Sequence, residues 1–156
     1  MSIREVKAFF AARGMEDRVL EFDTSSATVE LAAQTVGVIP ARIAKTLSFM
    51  TPDGPLLVVT AGDAKIDNHK FKETFGCKAK MLTPEEAVEL VGHAVGGVCP
   101  FAVKAGVKTC LDHSLRRFSK VFPACGSSNS AIELTIPQLE TFSDYETWVD
   151  VCKDWA

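Results

Sequence analysis

The segment TLSFMTPDGPLLVVTA, residues 46–61, constrains the fold of this chain more than any other. Two apolar runs, 46–50 and 55–61, are joined only by Thr51, Pro52, Asp53 and Gly54, residues that turn a chain and leave no length for a crossover. They are predicted to form a β-hairpin. Just before it, Pro40 can open a brief helical turn, PARIA, and Lys45 stands at the junction where that turn becomes the first strand.

Helices and strands are expected on both sides of the hairpin. Ser2 and Glu5 have capping-box spacing, Ile3, Val6, Phe9 and Phe10 share one side, and Gly14 ends the pattern, which predicts a short amphipathic helix over 2–14. VLEFD (19–23) reads as a strand, and Thr28 starts a second helix whose Val29, Ala32, Ala33 and Val36 repeat at helical spacing up to Gly37. A helix over 67–75, a strand over 78–82 and a helix over 84–91, capped by Thr83 and Glu86, follow. PFAVK (100–104), VKTCLD (107–112), RFSKVFP (117–123) and SAIELT (130–135) are short runs between turns and are expected as strands. Ser143 and Glu146 repeat the capping spacing ahead of Tyr145, Trp148, Val149 and Cys152, which predicts a closing helix. The sum is one α+β domain over residues 1–156, a mixed sheet or partly closed barrel flanked by helices.

Charge and cysteines narrow the function classes. A formal net charge of -3 argues against bulk, sequence-independent nucleic-acid binding, which rests on a strongly basic face. Local basic clusters remain at Lys65, Lys70 and Lys72, at Lys78 and Lys80, and at Arg116, Arg117 and Lys120; each can equally be a solvated face. The five cysteines, Cys77, Cys99, Cys110, Cys125 and Cys152, are scattered without CxxC or zinc-ligand spacing, and read as reduced thiols of a cytosolic protein. Arg4, Glu5 and Lys7 break any signal-peptide core, and no run approaches the ~18 apolar residues of a membrane span, so neither export nor membrane insertion is expected.

Three places could carry chemistry. Lys45, alone among apolar neighbours, is either partly desolvated, with a lowered ammonium pKa, or snorkels to the surface from a strand end. In GHAVGGVCPFAVK (92–104), Gly96 and Gly97 can bring backbone N–H groups close to a ligand, or simply turn the chain. In FPACGSSNSAIEL (122–134), Gly126 and the polar run Ser127, Ser128, Asn129 and Ser130 form a binding loop or a polar turn. Asp63, Asp67 and Asp112 read as caps. His69, His93 and His113 lack HxxxH or HExxH spacing, no GxSxG elbow occurs, and nothing near Cys99 offers an activating base.

In order, TVELAAQTVGVIPARIAKTLSF, LVVTAGDAKIDNHKFKETFG, LTPEEAVELVGHAVGGVCPFA and VKTCLDHSLRRFSKVFPACGSSNSAIELTIPQLE resemble the prolyl-tRNA editing family, the YbaK/ProX-type aminoacyl-tRNA deacylases, over residues 15–142. The resemblance implies a partly barrel-like α+β fold and a pocket that hydrolyses the ester of a mischarged tRNA without metal or cofactor. Lys45 matches the family's essential lysine, Gly96, Gly97, Val98, Cys99 and Pro100 its G-x-x-x-P loop, and Gly126 and Ser127 its later glycine-serine turn. Thr46, rather than asparagine, follows the lysine, which resembles the Cys-tRNA(Pro) branch more than the Ala-tRNA(Pro) branch. Phe22, Phe49, Phe101 and nearby aliphatics are expected as walls that restrict the pocket to small amino acids, and Lys65, Lys70 and Lys72 as the tRNA-facing cluster. With no general base in view, the ribose hydroxyl of the tRNA or a substrate thiol would assist. The implied partners are the acceptor end of a mischarged aminoacyl-tRNA and prolyl-tRNA synthetase. A monomer is expected, with a homodimer through the C-terminal helix as the alternative. Two other functional readings stand beside this one, a non-catalytic tRNA- or synthetase-binding module and a small-molecule-binding protein.

Overall fold

A computed structural model describes residues 2–23 and 28–155. Helix α1 (Ser2–Ala11) and strand β1 (Val19–Glu21) lead to α2 (Val29–Val36). The hairpin is β2 (Ile43–Thr51) and β3 (Gly54–Ala61), followed by β4 (Lys65–Ile66), α3 (Asn68–Phe75) and α4 (Pro84–Glu86), which runs on into a wider turn at Ala87–Val91. The second half holds β5 (Lys108–Asp112), β6 (Lys120–Pro123), β7 (Ser130–Ile132), β8 (Leu134–Thr135), α5 (Ile136–Ser143), β9 (Thr147–Val149) and β10 (Cys152–Lys153).

Local chemistry sets the helix ends. The Thr28 hydroxyl accepts from Leu31 N–H, Asp67 accepts from His69 and Lys70 N–H, and Thr83 and Thr135 form reciprocal capping boxes with Glu86 and Gln138. The box expected at Ser2 lies outside the described residues, since the Ser2 side chain is not placed.

Six strands form one mixed sheet in the order β8-β6-β2-β3-β5-β9, curled into a half-barrel with helices against it. The hairpin is at its centre, β2 and β3 pairing antiparallel from Ala44↔Ala61 to Thr51↔Gly54. Strand β6 lies parallel to β2, and β5 parallel to β3. The core holds Phe10, Phe49, Phe71, Phe101, Val58, Leu111 and Leu139, all essentially sealed from solvent. Phe10 and Phe101 meet edge to face with centroids 5.0 Å apart, and Phe49 lies 4.8 Å from Phe71. No helix among the described residues is long and apolar enough to cross a membrane.

Three expected elements differ. The closing helix is absent; residues 147–149 instead add a parallel strand to the edge of β5, pairing Leu111 with Trp148 and Asp112 with Val149. The reason is period-two burial: Val149 and Val151 point inward while Asp150 is exposed, and an open sheet edge gains hydrogen bonds that a short helix cannot supply. Its helix forms earlier, at α5, where Thr135, Pro137 and Gln138 make a stronger start. Residues 78–82 contribute only a single bridge, Phe49↔Met81, and residues 100–104 wind through turns in place of a strand.

Candidate functional site

The outer edge of β2 is shared. β6 covers it at Ile43 and Ala44, while residues 80–82 cover it further on, with Met50 N–H donating to Lys80 O and Leu82 N–H to Ser48 O. Between them, no strand among the described residues covers Lys45, Thr46 and Leu47 on that side. A pocket of about 280 Å³ opens there. Its floor is β2; Val29, Ala32 and Val36 of α2 form one wall, Met81, Val95, Gly96 and Val98 another, and Phe22, Phe122, Ser127 and Ala131 complete the rim. That volume falls just below the about 300–1,000 Å³ of sites for drug-sized ligands, so the space suits a small group.

Lys45 is the third residue of β2, slightly inside the strand relative to the junction read from sequence. Its side chain is half-buried, and burial pulls the ammonium below the ordinary lysine value, opposed by the negative charges of Asp63 and Glu30 and helped by the nearby Lys65. None of the ion pairs among the described residues uses Lys45. The Asp63 carboxylate is held by Arg117 through two hydrogen bonds, of 2.5 and 2.9 Å, and those bonds keep its pKa below the usual carboxylate range. Asp63 is therefore a fixed charge near Lys45 rather than a helix cap. Arg117 and Arg116 are not a free basic face either, since Arg116 lies over the Trp148 ring and Arg117 is committed to Asp63.

The two glycine loops press together beside Lys45. A Cβ on Gly97 would lie 2.5 Å from Gly126 C and Ser127 N, so glycine alone allows this approach. Gly96, with φ 96°, lines the pocket, whereas Gly97 N–H donates to Ala94 O at 3.0 Å. The polar run of the second loop largely holds itself. Ser127 Oγ lies 2.8 Å from both Asn129 Oδ1 and Ser130 Oγ, Ser130 Oγ accepts from Cys125 N–H, and Asn129 Nδ2 donates to Phe22 O. That last bond, with Phe22 N–H donating to Asn129 O, seats Phe22 at the rim.

Of the residues singled out in sequence, Phe22, Lys45, Thr46, Gly96, Val98, Ser127, Ser128 and Ser130 line the pocket. Gly97 and Gly126 form the contact behind it, while Cys99 and Pro100 are buried and do not line it. Burial pushes the Cys99 thiol up to about 12, which leaves no thiolate at neutral pH. Phe49 and Phe101 are core residues rather than pocket walls. The apolar stripe of α2 supplies aliphatic wall residues, Val29, Ala32 and Val36, that the sequence reading did not name; its helical period marked a buried face without saying what it faced.

The Thr46 hydroxyl is shut off from solvent and finds no partner among the described residues. Thr46→Val, which keeps the shape, is expected to be neutral or to stabilise by about 1 kcal/mol in urea denaturation, since an unpaired buried hydroxyl costs free energy. A loss of that size would reveal a partner for the hydroxyl.

Lys65 is exposed on β4, and Lys72 is exposed on α3 beside a shallow cleft with His69 and Lys78. Lys70 differs, its Nζ donating to Asp150 Oδ1 at 3.2 Å and Cys152 O at 3.0 Å, which ties β10 to α3.

Residues 23–142 match the model of the aminoacyl-tRNA editing domain. The uncharacterized protein YwhH of Bacillus subtilis (strain 168) is 56% identical over 156 residues, 99% of each chain. A proline--tRNA ligase of Halalkalibacterium halodurans is 33% identical over 110 residues, 69% of this chain but 19% of that enzyme. A crystal structure of a candidate trans-editing enzyme for prolyl tRNA synthetase superposes with a TM-score of 0.88 at 29% identity, covering 97% of both chains. With residues 23–142 matched and a relative 56% identical over nearly its whole length, the chain belongs to the aminoacyl-tRNA editing domain family.

Proposed function

We propose that the chain is a deacylase that hydrolyses the ester between a small amino acid, such as cysteine or alanine, and tRNA(Pro). The observation that carries this reading is a partly desolvated lysine, free of ion pairs among the described residues, on the floor of a pocket of about 280 Å³. Lys45 would donate from its ammonium to the terminal adenosine or to the oxyanion that develops when water attacks the ester, with Gly96 supplying backbone at the rim. A space this small, walled by Val29, Ala32 and Val36, rejects large side chains by steric exclusion and accepts small ones. The described pocket holds no free carboxylate or imidazole as general base, so the ribose hydroxyl of the tRNA or a cysteinyl thiol would take that part.

The deciding experiment measures release of amino acid from alanyl-, cysteinyl-, seryl- and prolyl-tRNA(Pro). Release from one or two mischarged species, with prolyl-tRNA(Pro) spared, supports the reading. No release from any of them overturns it and favours a binding module of the same fold.

For the tRNA body, the exposed Lys65 and Lys72 are the candidate contacts, and Lys70 is the least available of the three. The double change Lys65→Glu and Lys72→Glu is expected to raise KM for full-length tRNA several-fold at low salt, with kcat unchanged and the difference shrinking as salt rises. Steady-state kinetics at two ionic strengths check it, and an unmoved KM would place the tRNA on another face.

A further inference from the structure

The loop that carries Gly96 is closed at several points along its length. At its base Lys104 N–H donates to Val91 O at 3.0 Å, and at its tip Gly97 N–H donates to Ala94 O at 3.0 Å. Between them a buried side chain makes a further closure, His93 Nε2 lying 2.7 Å from Phe101 O, while the exposed Lys104 Nζ donates to Glu89 O at 2.8 Å outside the base. A carbonyl oxygen only accepts, so Nε2 carries the hydrogen and donates, and the ring is the neutral Nε2–H tautomer. The other ring nitrogen, Nδ1, is then an acceptor, and it is buried without a partner among the described residues. The Cys99 thiol, with Sγ 3.6 Å from Nε2 and 3.8 Å from Phe101 O, turns its hydrogen to the same carbonyl.

What that carbonyl belongs to matters. Phe101 is sealed in the core, its ring centroid 5.0 Å from that of Phe10 and 6.0 Å from that of Phe9, both on α1. The chain leaves it through Ala102 at φ 53°, a left-handed conformation that a residue with a Cβ adopts only when held. His93, 1% exposed, therefore ties the start of the loop to an anchor at its end, and the span between them contains the Gly97 that rests on Gly126 and Ser127. Burial keeps the imidazole below its ordinary pKa, so the neutral donor persists at neutral pH.

We propose that His93 is the positioning residue of the editing site, its Nε2–H clasp on Phe101 O holding the glycine loop in register with Lys45 and the second loop. The clasp rests on the deacylase reading for its catalytic consequence, but not for its structural one. It also explains why a histidine with an unpartnered Nδ1 occupies a core position where an apolar side chain would carry no such cost.

The test uses His93→Gln, whose amide places a donor at the ε position, and His93→Asn, whose amide stops at the δ position. Three quantities are read in each full-length variant, namely hydrogen exchange at the amides of residues 95–98, the urea midpoint, and kcat and KM for the mischarged tRNA that the wild type hydrolyses. His93→Asn is expected to speed exchange at those amides about tenfold and to lower kcat about 10- to 100-fold, with KM within threefold. His93→Gln is expected to recover both to within about threefold. Wild-type exchange and kcat in His93→Asn would overturn the proposal, as would a His93→Gln variant no better than His93→Asn in either. If the wild type hydrolyses none of the tRNAs, the deacylase reading falls separately, and exchange at residues 95–98 alone decides whether the clasp exists.

Discussion

Lys45→Ala is expected to lower deacylation by about 10²- to 10³-fold while leaving the fold intact, the scale seen when one preorganised electrostatic donor is removed from an active site. The fold should survive because Lys45 joins no ion pair among the described residues and its ammonium is disfavoured by burial, so the substitution removes a charge that the folded state tolerates at a cost. Lys45→Arg should not rescue, since a planar guanidinium is bulkier than a point ammonium and the pocket holds only about 280 Å³. The pH dependence has a definite sign. Burial makes the ammonium lose its proton below the ordinary value of 10.5, so activity that needs the cation falls as pH rises through that lowered value. Circular dichroism, urea denaturation and initial rates on the mischarged tRNA(Pro) panel measure all three. Unchanged turnover in Lys45→Ala would remove Lys45 from the mechanism.

Gly97→Ala should be nearly as damaging by a different route. The new methyl would sit 2.5 Å from Gly126 C and Ser127 N and 2.6 Å from Gly126 O, all backbone atoms with no side chain to swing aside. Carbon contacts are comfortable only near 3.5–4.0 Å, so the two loops must part by on the order of 1 Å. Overpacking of that kind costs about 1–3 kcal/mol, and a displacement of about 1 Å at a reacting centre can cost about 10²-fold in rate. Gly96→Ala separates the causes: its Cβ would meet only Ser128 Cβ at 3.4 Å, but φ 96° strains any other residue. Gly97 has no positive φ, so its loss reports the loop contact itself. Wild-type activity in Gly97→Ala would mean that the loops need not touch.

Much of the architecture was legible in local sequence because the signals there were local. The hairpin, the capping residues Thr28, Asp67 and Thr83, and the α2 stripe each depend on neighbours within a few positions, and each stands where it was expected. The tail was misread for the same reason. Ser143 and Glu146 satisfy a helix pattern locally, but the edge of β5 competes for residues 147–149 and wins with backbone pairing. Phe49 and Phe101 were expected as pocket walls because aromatic side chains suit both a pocket and a core, and nothing in a linear pattern distinguishes the two.

By itself, then, the sequence determined the elements whose hydrogen bonds close within a turn or a hairpin, the glycines that let backbone approach backbone, and, through the order of its motifs, the family. Only the tertiary structure decided that Lys45 faces a pocket instead of solvent, that Asp63 answers to Arg117, that the two glycine loops touch, and that His93 closes one of them. Those are contacts between residues as far as 54 positions apart. Their free energy comes from burial and from charges held at fixed distance, quantities that exist only once the chain has closed on itself.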